Sequence, residues 1–156
     1  MRVAACRMFR DMRRKRQLLS EAETIAMLEA CTAYEDGKLY FHAARTGHKM
    51  DAIRRNNKAS FCVIAADDVV RRAFTTHFRS VIAFGSLRIH TEDGEKRHAL
   101  ECLARKYSPD FVHAADAEVD GEWTKVCAIE LAIEHLTGKA AIEVVRERGP
   151  KSRAGG

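Results

Sequence analysis

The stretch THFRSVIAFGSLRIH, residues 76–90, constrains the fold more than any other part of the chain. It is rich in β-branched and aromatic side chains and holds no proline, so it reads as one long strand. Val81, Leu87 and Ile89 fall in one phase of its alternation, and Phe78, Ile82 and Phe84 in the other. A strand apolar in both phases is expected to be covered on both faces, as where a barrel wall also serves a subunit interface. Gly85 is placed to mark a bend or bulge in it.

Shorter segments surround this strand. KLYFHA predicts a strand over 38–43, after a turn at Glu35, Asp36 and Gly37. ASFCVIA predicts one over 59–65 with both faces covered, since Phe61 and Val63 alternate with Cys62 and Ile64. VCAIELAIEHL, 126–136, alternates Cys127, Ile129, Leu131 and Ile133 with Ala128, Glu130, Ala132 and Glu134, which predicts a half-buried strand with a wet face. Ser20 and Glu23 have the spacing of a capping box and predict a helix over 21–32. Ala99, Leu100, Leu103 and Tyr107 share one face of a second helix that Ser108 and Pro109 end. Helices do not recur between every pair of strands, so a parallel βαβ fold is not expected. The architecture expected is mainly β with peripheral helices, an α+β small barrel.

Charge is unevenly placed. The net charge is +5, yet residues 1–19 hold seven basic and one acidic residue and residues 144–156 hold four and one, leaving the body at −4. Three parts are expected: a basic N-terminal arm over 1–19, one domain over 20–143 and a flexible basic tail over 144–156. A basic groove for nucleic acid is not expected on a mildly acidic body. No apolar run approaches the roughly 20 residues that cross a bilayer, and the N-terminus lacks the apolar segment of a secretory signal, so the expected compartment is the cytoplasm. Cys6, Cys31, Cys62, Cys102 and Cys127 have no C-x-x-C spacing and read as reduced, mostly buried thiols.

The chemical signal lies in LYFHAARTGHKMDAIRRN, Leu39 to Asn56. Here a strand hands over through Gly47 to a short amphipathic helix that starts with His48 and Lys49. The first turn of a helix has unpaired N–H groups, glycine lets an anion approach them and lysine adds charge. By spacing alone, an anion site and a solvated lysine both remain open. A metal between His42 and His48 is not expected, because nothing nearby completes a ligand set. Nucleophile-elbow, dinucleotide and P-loop motifs are absent.

The run YEDGKLYFHAARTGHKMDAIRRNNKASFCVI resembles the pyridoxamine 5′-phosphate oxidase-like, FMN-binding split-barrel proteins, in particular their nitroimidazole-resistance branch. MRRKRQLLSEAE, FRSVIAFGSLRI, KYSPD and IELAIEHLTGKAAIE extend the resemblance over residues 12–143. It implies a split β-barrel that dimerises with FMN at the interface. Gly47, His48 and Lys49 would hold the phosphate and ribityl chain, Phe41, His42 and Ala43 would line the flavin, and Thr137, Gly138 and Lys139 would close the site from a partner subunit. It further implies an oxidoreductase passing electrons from a reduced nicotinamide to a small acceptor such as a nitro compound, or else a non-catalytic module binding flavin or haem. The C-terminus ERGPKSRAGG differs from the substrate-binding signature of the biosynthetic oxidase. Two departures stand out: residues 1–11 precede the family's usual opening, and Cys31-Thr32-Ala33 runs into Tyr34 where the family has a further hairpin.

Overall fold

The computed structural model describes residues 16–147. The chain runs β1 (Arg16–Leu18), α1 (Glu21–Cys31), β2 (Tyr34–Glu35), β3 (Lys38–Ala44), α2 (His48–Arg55), β4 (Lys58–Val70), β5 (Thr75–Ile89), α3 (Asp93–Tyr107), α4 (Val112–Glu122), β6 (Val126–Ala141) and α5 (Ile142–Glu147). The strands form one antiparallel sheet in the order β2-β3-β6-β5-β4, with β1 on the far end of β6. The sheet curls without closing, which is the α+β split barrel expected.

Local chemistry sets the ends of these elements. Ser20 Oγ accepts from the Glu23 N–H and Glu23 Oε2 accepts from the Ser20 N–H at 2.8 Å, the reciprocal cap that starts α1. Asp36 and Gly37 both have positive φ, at 48° and 77°, the two-residue turn whose twist suits a hairpin, and they join β2 to β3. The register of β5 on β6 shifts after Phe84, so Gly85 faces Ile133 while Glu134 is the extra residue. A Cβ on Gly85 would lie 1.9 Å from the Ala132 carbonyl oxygen, so close backbone approach requires glycine at this bulge.

Leu28, Leu39, Val81, Ala83 and Leu131 fill the inside of the curled sheet. A second cluster, Tyr40, Ala99, Leu100, Cys102 and Ala128, holds α3 on the outside of β3 and β6. The buried stripe of α3 includes Lys96 and Cys102, whereas Tyr107 is exposed. Between α1 and β3 the chain places only the two-residue β2. Beside it, β6 has a gap along one edge. The Ile133 N–H donates to Gly37 and the Leu19 N–H donates to Gly138, both at 2.9 Å. Between those two bonds no strand lies against that edge among the described residues.

Several expectations change. Cys62 is exposed, as is Ile64, because no element among the described residues covers the outer face of β4, the last strand of the sheet. Only Cys102 and Cys127 are buried among the described thiols. Conversely, Ala128 and Glu130, expected on a wet face, are buried beneath α3. The helix α4 lies where no element was expected, and β6 continues to Ala141. Of the sequence-defined arm, residues 16–18 form β1 and Leu19 follows it, and of the tail, residues 144–147 lie in α5; residues 1–15, with Cys6, and 148–156 lie outside the described residues.

Candidate functional site

The strand β3 alternates cleanly. Leu39, Phe41 and Ala43 face inward, toward Leu131, Ile129 and Cys127, while Tyr40 and His42 face the side of α3. His42 is therefore turned away from Phe41 and Ala43, and it is exposed. Phe41 is half-buried with its ring centroid 5.0 Å from that of Phe61. On the edge away from β6, β3 is paired with β2 at Lys38 and Leu39, and the Tyr40 N–H donates to Ala33. Beyond Tyr40, no strand occupies that edge among the described residues.

Three residues after β3 ends, Gly47 caps α2 with φ 118°, a conformation L side chains rarely adopt. Nothing lies within 4 Å of where its Cβ would stand, so the backbone is open to solvent. No side chain caps the helix. The first-turn N–H groups thus point outward unpaired, with the positive end of the helix dipole behind them. His48 and Lys49 are exposed at this start, whereas Met50 and Ile53 are buried against Cys127 and Ile129 and hold the helix to the sheet. Burying that pair stabilises the docking by about 3–6 kcal/mol before ordering costs.

A cleft of about 500 Å³ opens between α2 and the start of α3, lined by Arg45, Arg54, His90, Lys96 and Trp123 among others. Arg45 donates to the Thr124 carbonyl at 3.2 Å. Lys96 is buried with its ammonium 4.1 Å from the centre of the Trp123 ring. Burial foremost, and then the Arg45 charge, hold its pKa below the usual lysine value. This cleft adds a cationic wall beside the α2 start. Arg45 could have been read from the sequence, two residues before Gly47. Arg54, Lys96 and Trp123 could not, since their meeting depends on how α3 and α4 dock.

The other expected site residues lie elsewhere. Thr137 and Gly138 line a second cleft, about 520 Å³, at the gap in the β6 edge, with Leu19, Ile25 and Tyr34 across from them. A Cβ on Gly138 would stand 2.4 Å from Thr24 Oγ1, so packing against α1 keeps this position glycine. Lys139 is half-buried and pairs with Leu18 and Ser80. Ile129, the partner of Phe41, is eight residues from Thr137, roughly 26 Å of strand. Within one chain the two groups do not meet.

On the α3 side, Glu130 is buried and reached by Arg88 Nε at 3.0 Å and Lys38 Nζ at 3.5 Å. Burial pushes its carboxyl up, but Arg88 and Lys38 more than reverse this, and the carboxyl titrates below the usual range. Arg88 also grips Glu95 at 2.7 Å and, with His90, draws its pKa down to about 2. The network locks α3 to the sheet beneath the row His42, Ala128, His90.

The pyridoxamine 5′-phosphate oxidase family profile matches residues 26–140, and the chain belongs to that family. Among solved structures, a candidate 5-nitroimidazole antibiotic resistance protein from Bacteroides thetaiotaomicron is 19% identical, with 80% of this chain and 87% of that one covered and a TM-score of 0.62. A conserved hypothetical protein from Mycobacterium tuberculosis is 16% identical over 88% of this chain and 93% of its own, with a TM-score of 0.67. A Mycobacterium smegmatis protein that binds FAD and haem is 16% identical over 85% and 80%, with a TM-score of 0.62. At these identities the likeness is one of fold. No curated protein sequence matches the chain.

Proposed function

We propose that this chain is a flavoprotein of the nitroimidazole-resistance-like branch that binds FMN non-covalently and passes electrons from a reduced nicotinamide to a small acceptor such as a nitro compound. The observation that carries the proposal is the start of α2, where an open glycine and unpaired N–H groups are flanked by Arg45, His48 and Lys49. A terminal phosphate fits there, because nothing beside Gly47 blocks its approach to the backbone. The open edge of β3 beyond Tyr40 offers backbone donors and acceptors of the kind that hold a flavin's polar edge, with Phe41, His42 and Ala43 alongside. Bound there, FMN would supply the redox chemistry. The protein's part is to anchor the phosphate through Lys49 and the helix start, to orient the ring along β3 and to limit access to it. No side chain is assigned as a nucleophile.

Completion of the site falls to a second copy of the chain. Thr137, Gly138 and Lys139 lie too far along β6 to reach the start of α2 in the same chain. In a homodimer they would close it from the partner. Exposed Ile64 and Phe84, on the outer faces of β4 and β5, give such a dimer apolar surface to bury.

The test is a visible spectrum of the purified protein together with titration of FMN fluorescence. Flavin absorbance, or quenching at one FMN per chain, is expected, and Lys49→Ala should weaken retention about 10- to 100-fold by removing a charged phosphate contact. A protein that shows no flavin absorbance and does not quench added FMN would sink the proposal. A Soret band on haemin titration without flavin would instead favour a haem-binding, non-catalytic module; the M. smegmatis neighbour of the same fold binds haem as well as FAD.

A further inference from the structure

Away from the clefts, the turn of α3 nearest β2 brings together three side chains of different chemistry. His98 and Cys102 stand four residues apart, so they share one face of α3. Glu35 reaches them from β2, held in place by the Asp36-Gly37 turn. One nitrogen, one sulfur and one oxygen of the three all lie within 4.8 Å of one another, the one such group among the described residues. We propose that Glu35, His98 and Cys102 bind a single Zn²⁺ ion that ties α3 to the two-residue strand β2.

The spacing of the donors supports this. Zinc bonds of about 2.3 Å to sulfur and 2.0–2.1 Å to nitrogen or oxygen place tetrahedral ligands roughly 3.5 Å apart. Cys102 Sγ lies 3.5 Å from His98 Nε2 and 3.7 Å from Glu35 Oε2, so two of the three edges already have that length. The third, His98 Nε2 to Glu35 Oε2, is a 2.5 Å contact. A metal would take the place of the shared proton there and widen the edge to about 3.4 Å. Glu35 can supply that movement, since its side chain is 40% exposed and sits at the end of a short strand. The His98 ring stands edge-on to the Tyr40 ring, 86° between planes, which fixes the direction of its Nε2.

The surroundings suit a cation held through a thiolate. Arg105 Nη2 donates to Cys102 Sγ at 2.9 Å. A guanidinium has no lone pair to offer a metal, so Arg105 serves as an outer partner that steadies the sulfur's negative charge. Binding releases the thiol proton to solvent, and the thiolate and carboxylate together balance the two charges of the ion. A mixed sulfur, nitrogen and oxygen set selects zinc over magnesium or calcium, which require oxygen. Water would fill the fourth position from the adjoining recess, about 210 Å³, lined by Thr32, Ala33, Tyr34 and Lys106. No spacing rule could flag the set, because Glu35 precedes His98 by 63 residues.

Cobalt is the probe. The full chain, freed of metal by a chelator and titrated with Co²⁺, should develop one equivalent of a thiolate-to-cobalt charge-transfer band with the visible bands of a tetrahedral ion, and Zn²⁺ should bleach both. Cys102→Ser should abolish the charge-transfer band, Glu35→Gln should weaken binding at least tenfold, and Cys62→Ser should leave it unchanged. Glu35 is partly exposed, so Glu35→Gln keeps the test valid if Cys102→Ser unfolds; Zn²⁺ should raise the melting temperature of the wild type and not of Glu35→Gln. A missing charge-transfer band at stoichiometric Co²⁺, a band that survives Cys102→Ser, or equal zinc stabilisation of wild type and Glu35→Gln would each overturn the proposal.

Discussion

The first half of β6 and the apolar middle of β4, residues 61–64, look alike as sequence and end in opposite surroundings. CAIEL has a charged residue within its alternation and is buried on both faces, with Ala128 at 0% and Glu130 at 5% exposure. FCVI has no polar residue and leaves Ile64 64% exposed. What separates them is cover: α3 lies across β6, and among the described residues no element lies across the outer face of β4. Alternation tells which side chains share a face, but another part of the chain, or another chain, decides whether that face is dry.

Substitutions on the two strands test this contrast. Leu131→Ala, at a position 1% exposed, should cost about 2–5 kcal/mol in urea denaturation. Gly85→Ala should cost about 1–3 kcal/mol or more, because its methyl would meet the β6 backbone where no side chain can move aside. Glu130→Gln should cost about 1–3 kcal/mol, since Arg88 and Lys38 lose their charged partner while both stay partly exposed. Ile64→Ala should change the stability of a single chain by no more than about 0.5 kcal/mol. Were it to cost as much as Leu131→Ala, β4 would have a covered face, and sedimentation of Ile64→Lys against wild type would show whether a second chain covers it.

The smallest effect concerns pH. Glu95 and Glu130 both titrate below the usual carboxylate range when folded, so the stability they contribute is present above it and lost as pH falls. For Glu95 the window lies between 4.5 and about 2. Across it, wild type should lose more stability than Glu95→Gln, and parallel urea midpoints for the two proteins would refute the assignment.

Much of this fold is legible from short-range chemistry. Ser20 with Glu23, Asp36 with Gly37, and Gly47 before His48 each act within four residues, and each marks an element end that the structure contains. The helix α4 escaped because Ala114, Asp116 and Gly121 give VHAADAEVDGE neither a clear apolar stripe nor a cap. Likewise β1 is only Arg-Gln-Leu, and nothing but its pairing with β6 makes it a strand. The candidate site divides the same way. Its anion-binding start is a contiguous motif, whereas Arg54, Lys96 and Trp123 gather only through the docking of α2, α3 and α4.

The gap in the β6 edge bears on how lineages of this fold can differ in length. It is framed by two single backbone bonds, from the Leu19 N–H to Gly138 and from the Ile133 N–H to Gly37, and the connection facing it is the short run from Cys31 to Tyr34. A hairpin gained there would find an open ladder waiting, and one lost would uncover only that ladder, leaving the packed interior intact. The molecule therefore carries its insertion point at the rim of a cleft lined by Thr137 and Gly138, where a change of chain length reshapes what can enter without redesigning the barrel that holds it.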